Sequence, residues 1–424
     1  MESMLEFKNT HNNWVGGISK LLFGVSKYFQ NYKTLLFLCV FLNGICVAQK
    51  KQQLSTEQPV VGANQISKYL HLLQHKKIGI VANQTSVLFK NSELSSYEHL
   101  VDSLQKQKIT IVKVFTPEHG FRGSSDASEH IEDSKDLKTG LPLVSLYGKN
   151  RKPTDAQLKN VELVLFDIQD VGVRFYTYLS TLHYVMEACA ENNIPVLVLD
   201  RPNPNGHYVD GPMMHPENKS FIGMHPVPLV YGMTIGEYAQ MINGESWLKN
   251  GRTCDLTVIP LQKYKHQTRY QLPIRPSPNL PNAKAVNCYP SLGFFEGTPV
   301  NAGRGTEFQF QRYGAPDFPK GTFFYTPLPN FGSKYPKHRG QRCYGVDLSS
   351  SPRLSKINIS WLADAYQKSP NKTLFFGKTF TKHVGNTELQ KQLEAQKSPK
   401  EIEASWQKDL KAFQKIRQKY LLYD

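Results

Sequence analysis

The sequence predicts an α/β protein: a Rossmann-like, parallel-sheet N-terminal domain, then a smaller α+β C-terminal domain. Two observations carry this. From residue 76 short β-branched runs alternate with helical segments, and such alternation gives βαβ units because parallel neighbours need a crossover connection. After Asp200 the composition shifts to Pro, Gly and aromatics. A chain of 424 residues with 40% hydrophobic and 11% aromatic content holds enough apolar surface for a sizeable core, which excludes disorder. Its negative mean hydropathy excludes a polytopic membrane protein.

The elements follow in order. Residues 34–48 form an apolar run flanked by Lys27 and Lys33 before it and Lys50 and Lys51 after it. At about 15 residues it is shorter than the roughly 20 of a membrane span, so it reads as a signal peptide cleaved after Ala48. A lipid-modified Cys46 and an uncleaved anchor are the competing readings. Either way the body is exported, to the periplasm or the medium, with no stable membrane insertion after cleavage. Residues 77–82 read as a buried strand, 98–107 as an amphipathic helix, and 109–115 as the next strand. A short strand at 141–147 and a short helix at 155–159 precede strand 161–166, helix 178–192 and strand 194–199. Beyond the Pro- and Gly-rich 201–233 come helix 234–243 and strand 255–260. Residues 272–316 read as a long ordered loop, since its prolines interrupt periodicity while aromatics crowd 288–313. Helical pattern resumes at 359–367 and 400–420. The expected division is 1–48 signal peptide, 60–205 Rossmann-like catalytic domain, 206–270 connecting segment and 271–424 C-terminal α+β domain.

Charge and cysteines exclude further classes. The chain has 51 Lys and Arg against 35 Asp and Glu, and losing residues 1–48 leaves it basic. That favours an anionic partner, although lysines scattered over a solvated surface would give the same balance. No nucleic-acid motif is present, so no nucleic-acid partner is expected. No G-x-G-x-x-G follows the first strand, and H-E-x-x-H, G-x-S-x-G and C-x-x-C are missing, so neither cofactor nor metal is expected. Cys189, Cys254, Cys288 and Cys343 allow three disulfide pairings that spacing does not choose between.

Ligands of open parallel sheets sit beyond the carboxyl ends of the strands. There the sequence places Thr116-Pro-Glu-His-Gly-Phe-Arg-Gly123, Asp167-Ile-Gln-Asp-Val-Gly-Val-Arg-Phe-Tyr176 and Asp200-Arg-Pro-Asn-Pro204. Glu118, on a short loop after Pro117, is the leading candidate for a general acid; a capping or salt-bridged glutamate is the alternative. His119 could orient substrate or be structural. Asp167 and Asp170 offer a second carboxylate or metal site, or loop-capping aspartates. Arg122 and Arg174 suit anion clamps, or internal salt bridges. In Asn301-Ala-Gly-Arg-Gly-Thr-Glu-Phe-Gln-Phe-Gln-Arg312, Arg304, Glu307 and Gln309 lie among glycines and aromatics, as a sugar site needs; a Glu307–Arg304 pair in an ordered loop is the alternative.

These segments, with Tyr231-Gly-Met-Thr-Ile-Gly-Glu237, Ser277-Pro-Asn-Leu-Pro281 and the stretch 289–316, resemble the NamZ-type exo-β-N-acetylmuramidases, glycoside hydrolase family 171. The resemblance runs from about Gly79 to the C-terminus, through six motifs in the same order. It implies removal of a non-reducing terminal N-acetylmuramic acid from peptidoglycan fragments, an active site in the cleft between the two domains, and a catalytic glutamate at Glu118. A glycosidase generally needs a second carboxylate, for which Asp170 and Glu307 rank above Asp167. The expected substrate-binding set is His119, Arg122, Gln169, Arg174, Tyr176, Arg201, Asn203, Asn279, Arg304 and Gln309. At least one of Arg122, Arg174 and Arg304 would bind the lactyl carboxylate; the alternative is that all three are structural salt-bridge partners. A non-catalytic periplasmic muropeptide- or sugar-binding protein is the alternative, and a metal-dependent phosphoesterase is a third reading.

Overall fold

Fully buried parallel strands read as continuous apolar runs, and that is what the centre of the main sheet contains. The computed structural model describes residues 58–91, 94–123 and 133–424; the expected signal peptide lies outside them. Seven strands form the sheet: β1 (Lys77–Ala82), β2 (Thr110–Thr116), β3 (Ser134–Lys135), β4 (Pro142–Ser145), β5 (Leu163–Asp167), β6 (Val196–Leu199) and β7 (Leu256–Ile259). Their spatial order is β7-β6-β5-β1-β2-β4-β3. All neighbours are parallel except the β3–β4 edge pair. The mostly parallel α/β architecture read from the sequence is therefore present. Its edge strand β7 comes from the segment read as connecting.

Alternate strand residues serve two cores. Val81, Phe115, Phe166 and Val198 face one cluster, which runs on into the C-terminal region. Ile80, Val114, Leu165 and Leu197 face the other. Helices cover both faces, among them α1 (Leu100–Lys106), α2 (Tyr178–Glu191) and α3 (Ile235–Gly244). The last of these starts at a capping box in which Thr234 and Glu237 satisfy each other's backbone N–H.

The stretch 272–316 differs from the long loop expected. It holds α4 (Ala283–Leu292), a 3₁₀ turn at Gly293–Gly297 and β8 (Arg312–Ala315). Asn282 caps α4 by accepting from Ala285 N at 2.9 Å, and Pro290 lies inside the helix. Proline punctuation hid an element whose buried face, including Val286, Tyr289 and Leu292, is otherwise helical in spacing. β8 pairs antiparallel with β10 (Cys343–Asp347), which also pairs with β9 (Phe324–Tyr325). Two later helices follow, α5 (Phe380–Val384) and α6 (Pro399–Arg417). The four cysteines are buried free thiols, so none of the three pairings is formed. No described helix is long and apolar enough to cross a membrane.

Candidate active site

The strand order reverses at β1, between β5 on one side and β2 on the other, and a crevice opens beyond the carboxyl ends there. β2 ends at Thr116 and delivers Glu118 on a tight turn in which Gly120 N bonds Pro117 O at 3.1 Å. His119 sits in that turn at φ 72° and Gly120 at φ 75°. Thr177, at the N-cap of α2, donates its hydroxyl to Glu118 Oε2 at 2.8 Å, so the turn after β2 and the start of α2 are tied through the carboxylate. Tyr176 and Tyr178 both donate to Pro276 O, at 2.7 and 3.3 Å. Those bonds hold the segment after β5 and the start of α2 against Pro276.

Between these segments lies a cavity of about 550 Å³, within the roughly 300–1,000 Å³ of small-molecule sites. Glu118, His119, Tyr176 and Thr177 line one side; Asn279, Tyr289, Glu296, Arg304, Lys337 and His383 line the other. Aromatic faces and hydrogen-bonding groups are mixed, as a saccharide requires. Asn279 donates to Gly332 O at 2.5 Å, and its buried Oδ1 has no hydrogen-bond partner among the described residues.

Glu296 is a second carboxylate on the cavity wall, and the sequence reading passed over it. Arg304 Nη1 approaches its Oε1 at 2.9 Å and His383 Nε2 its Oε2 at 3.6 Å. Burial alone would raise its pKa. The nearby His383 imidazole and the charges of Arg304 and Lys337 outweigh burial and hold it down at about 2. Lys337 donates to the carbonyls of Phe295 and Thr298, at 2.8 and 2.5 Å, and burial pushes its pKa down to about 8. Tyr289 lies within electrostatic reach of both glutamates: after burial, Glu296 and Glu118 each raise its phenol pKa. A usable signal for Glu296 was its setting, Gly293-Phe-Phe-Glu-Gly297, a carboxylate between aromatics and glycines inside a segment already singled out.

Of the residues expected from sequence, the cavity gathers Glu118, His119, Tyr176, Asn279 and Arg304. The others lie elsewhere. Arg122 is on the surface, paired with Asp136 at 2.9 Å and Asp102 at 3.4 Å. Glu307 is exposed and does not pair with Arg304, whose partner is Glu296. Arg174 is buried and donates to the carbonyls of Pro212 and Val227, both at 2.8 Å, and of His383 and Val384. It fastens the loop after β5 to the end of α5, and burial pushes its pKa down to about 9. Arg201 and Asp167 form a bidentate pair beneath the site. Gln169 bridges the carbonyls of Asp170 and Pro202, and Asn203 donates to Met233 O at 2.8 Å. Gln309 is buried outside the lining. Asp170 stands behind the cavity wall, where it still raises the phenols of Tyr176 and Tyr289. Its Oδ2 accepts from Gly172 N and the Tyr231 hydroxyl, and burial pushes its pKa up to about 6. Among the described residues no group of three or more His, Cys, Asp or Glu could hold a metal ion.

A carboxylate on a strand-end turn, a second one fixed as an anion, and a mixed aromatic and polar cavity define the site of an α/β glycoside hydrolase. The chain belongs to the NamZ exo-β-N-acetylmuramidase family: it matches the family's N-terminal part over residues 78–284 and its C-terminal part over residues 287–423. The cavity is lined from both sides of that division. The chain is 39% identical to the peptidoglycan β-N-acetylmuramidase NamZ of Bacillus subtilis (strain 168), over 84% of this chain and 89% of that one. Two crystal structures of DUF1343 family proteins from Bacteroides fragilis NCTC 9343 are also similar. One superposes with a TM-score of 0.80 at 44% identity, covering 87% of this chain and 99% of its own. The other has a TM-score of 0.73 at 27% identity, covering 86% and 99%.

Proposed function

We propose that the protein is an exo-acting glycoside hydrolase that releases the non-reducing terminal N-acetylmuramic acid from peptidoglycan fragments in cell-wall turnover. The observation that carries this is a saccharide-sized cavity in which Glu118 shares space with a cation-rich wall built on Glu296. Family membership, and a relative named for this activity, support it. Glu118 protonates the departing glycosidic oxygen, and Thr177 holds its carboxyl in place. A carboxylate held near pKa 2 is too weak a base to take up a proton near neutrality. Glu296 therefore stays an anion, and it positions Arg304 and His383. Incubating the protein with the disaccharide β-N-acetylmuramyl-N-acetylglucosamine and following free N-acetylmuramic acid by mass spectrometry tests the reading. No release would sink it.

The substrate's lactyl carboxylate is what separates it from N-acetylglucosamine, and Arg304 is the expected clamp that lines the cavity. One charge-assisted contact is worth about 1.5–3 kcal/mol, roughly ten- to a hundredfold. Arg304→Met is expected to cut the ratio of kcat/KM for a muraminide over a glucosaminide by that factor. A wild-type ratio in the folded variant would remove Arg304 from recognition.

The apolar run 34–48 supports export to the compartment that holds peptidoglycan. N-terminal sequencing of protein recovered from producing cells is expected to find residues up to about Ala48 absent; a mature form starting at Met1 or Met4 would refute export by cleavage.

A further inference from the structure

The rim of the cavity carries a surface that proton transfer at Glu118 does not use. Residues 327–340 link β9 to β10, and their backbone is pinned to the cavity wall. Leu328 N donates to Gly305 O at 2.8 Å, and Asn330 and Ser333 exchange backbone bonds of 3.1 Å. Asn330 Nδ2 bonds Thr306 O at 2.9 Å. Gly332 accepts from Asn279 and lies so close to Pro278 that a Cβ would come within 2.8 Å of it, at a φ of 97°. From this fixed backbone Phe331 and Tyr335 stand 55% and 86% exposed. Tyr335 also lines the cavity. Elsewhere in the C-terminal region exposed rings are covered: Arg312 lies 4.0 Å over Phe308, and Arg342 4.4 Å over Phe324. Among the described residues no cation covers Phe331 or Tyr335 in this way.

We propose that Tyr335, with Phe331 on the same loop, is a stacking platform for the leaving saccharide, the sugar on the reducing side of the scissile bond. The proposal rests on the muramidase reading. An exo-acting enzyme encloses the terminal sugar and leaves the rest of the glycan at the mouth. A pyranose there presents an apolar face of C–H groups and a rim of hydroxyls, which suits an aromatic ring with one face offered and its surroundings wet. Because the loop is already ordered by its backbone bonds, stacking costs little further ordering.

The test compares two substrates, the disaccharide above and β-N-acetylmuraminyl fluoride, whose leaving group is too small to reach the rim. Tyr335→Ala is expected to lower kcat/KM for the disaccharide by about five- to tenfold and to leave the fluoride within about twofold of wild type. Tyr335→Phe and Tyr335→Trp should retain the disaccharide rate, since each keeps a ring. An unchanged ratio of the two substrates in Tyr335→Ala overturns the platform, as does an equal loss on both. Wild-type protein that hydrolyses neither substrate overturns the muramidase reading, and the platform with it.

Discussion

Replacing Glu118 by Gln is expected to lower turnover of the muramyl disaccharide by about 100- to 10,000-fold, the usual worth of a positioned general acid. The amide is isosteric, and its oxygen can still accept from Thr177 Oγ1, which lies 2.8 Å from the native carboxylate. The turn at 117–120 and the start of α2 should therefore stay in place, and the loss should be chemical. The amide cannot release a proton to the departing oxygen. The deficit should shrink on substrates whose leaving group is already a stable anion, because those need no protonation. Near wild-type turnover of the disaccharide by the folded variant would remove Glu118 from the acid role. An equally large loss on a good and a poor leaving group would mean that the residue binds substrate and does not transfer a proton.

Glu118 was legible because its position follows from topology alone: a carboxylate just past the end of a buried parallel strand lies at the edge where such sheets bind ligands. The strands themselves were legible for a related reason, since burial on both faces leaves an unbroken apolar run; β1 falls at the residues the sequence marked. The arginines were not. Arg122, Arg174 and Arg304 look alike in sequence, each in a glycine-containing loop, yet one is a surface ion pair, one a buried bracket and one a cavity wall. What separates them is non-local. Arg122 meets Asp102 and Asp136. Arg174 meets carbonyls from residues 212, 227, 383 and 384, groups that every residue possesses and no sequence pattern flags. Glu296 was missed for the same reason, because the partners that make it an anion sit at 304, 337 and 383. Periodicity reports which face a residue buries; it says nothing of what that face later meets.

The largest expected effect on stability lies one layer below the site. Asp167 ends β5 with its side chain wholly inaccessible, and Arg201, just past the end of β6, meets it with Nε to Oδ1 at 2.6 Å and Nη2 to Oδ2 at 2.8 Å. The same guanidinium donates to Val87 O at 2.9 Å. Arg201→Met would leave a buried carboxylate and a carbonyl without their donors. Breaking one side of such a pair costs about 3–5 kcal/mol, which chemical denaturation should register. Burial already raises the Asp167 pKa against the opposing pull of Arg201, so removing Arg201 raises it further. A carboxyl with a raised folded pKa keeps a proton that the unfolded chain gives up, so stability falls as pH rises above the unfolded value of about 3.9. Wild type and Arg201→Met should therefore lose stability in parallel just above the unfolded value, and the gap between them should widen once pH passes the raised folded pKa of wild-type Asp167. Adding Asp167→Leu should recover much of the loss, since a buried pair exchanged for apolar side chains is often near neutral. A single-variant cost below about 1 kcal/mol, independent of pH, would show that water or another donor reaches Asp167 when the guanidinium is gone. Ser86 Oγ also bonds the Asp167 carbonyl, and Asn83 N bonds Ser86 Oγ at 2.9 Å. The turn that carries Asn83, and through it the Tyr178 hydroxyl at 2.9 Å, is thus tied to the strand end that this pair secures. Loosening the pair should lower kcat as well as raise KM, because the start of α2, where Thr177 and Tyr178 sit, would be held less firmly and Thr177 fixes the Glu118 carboxyl.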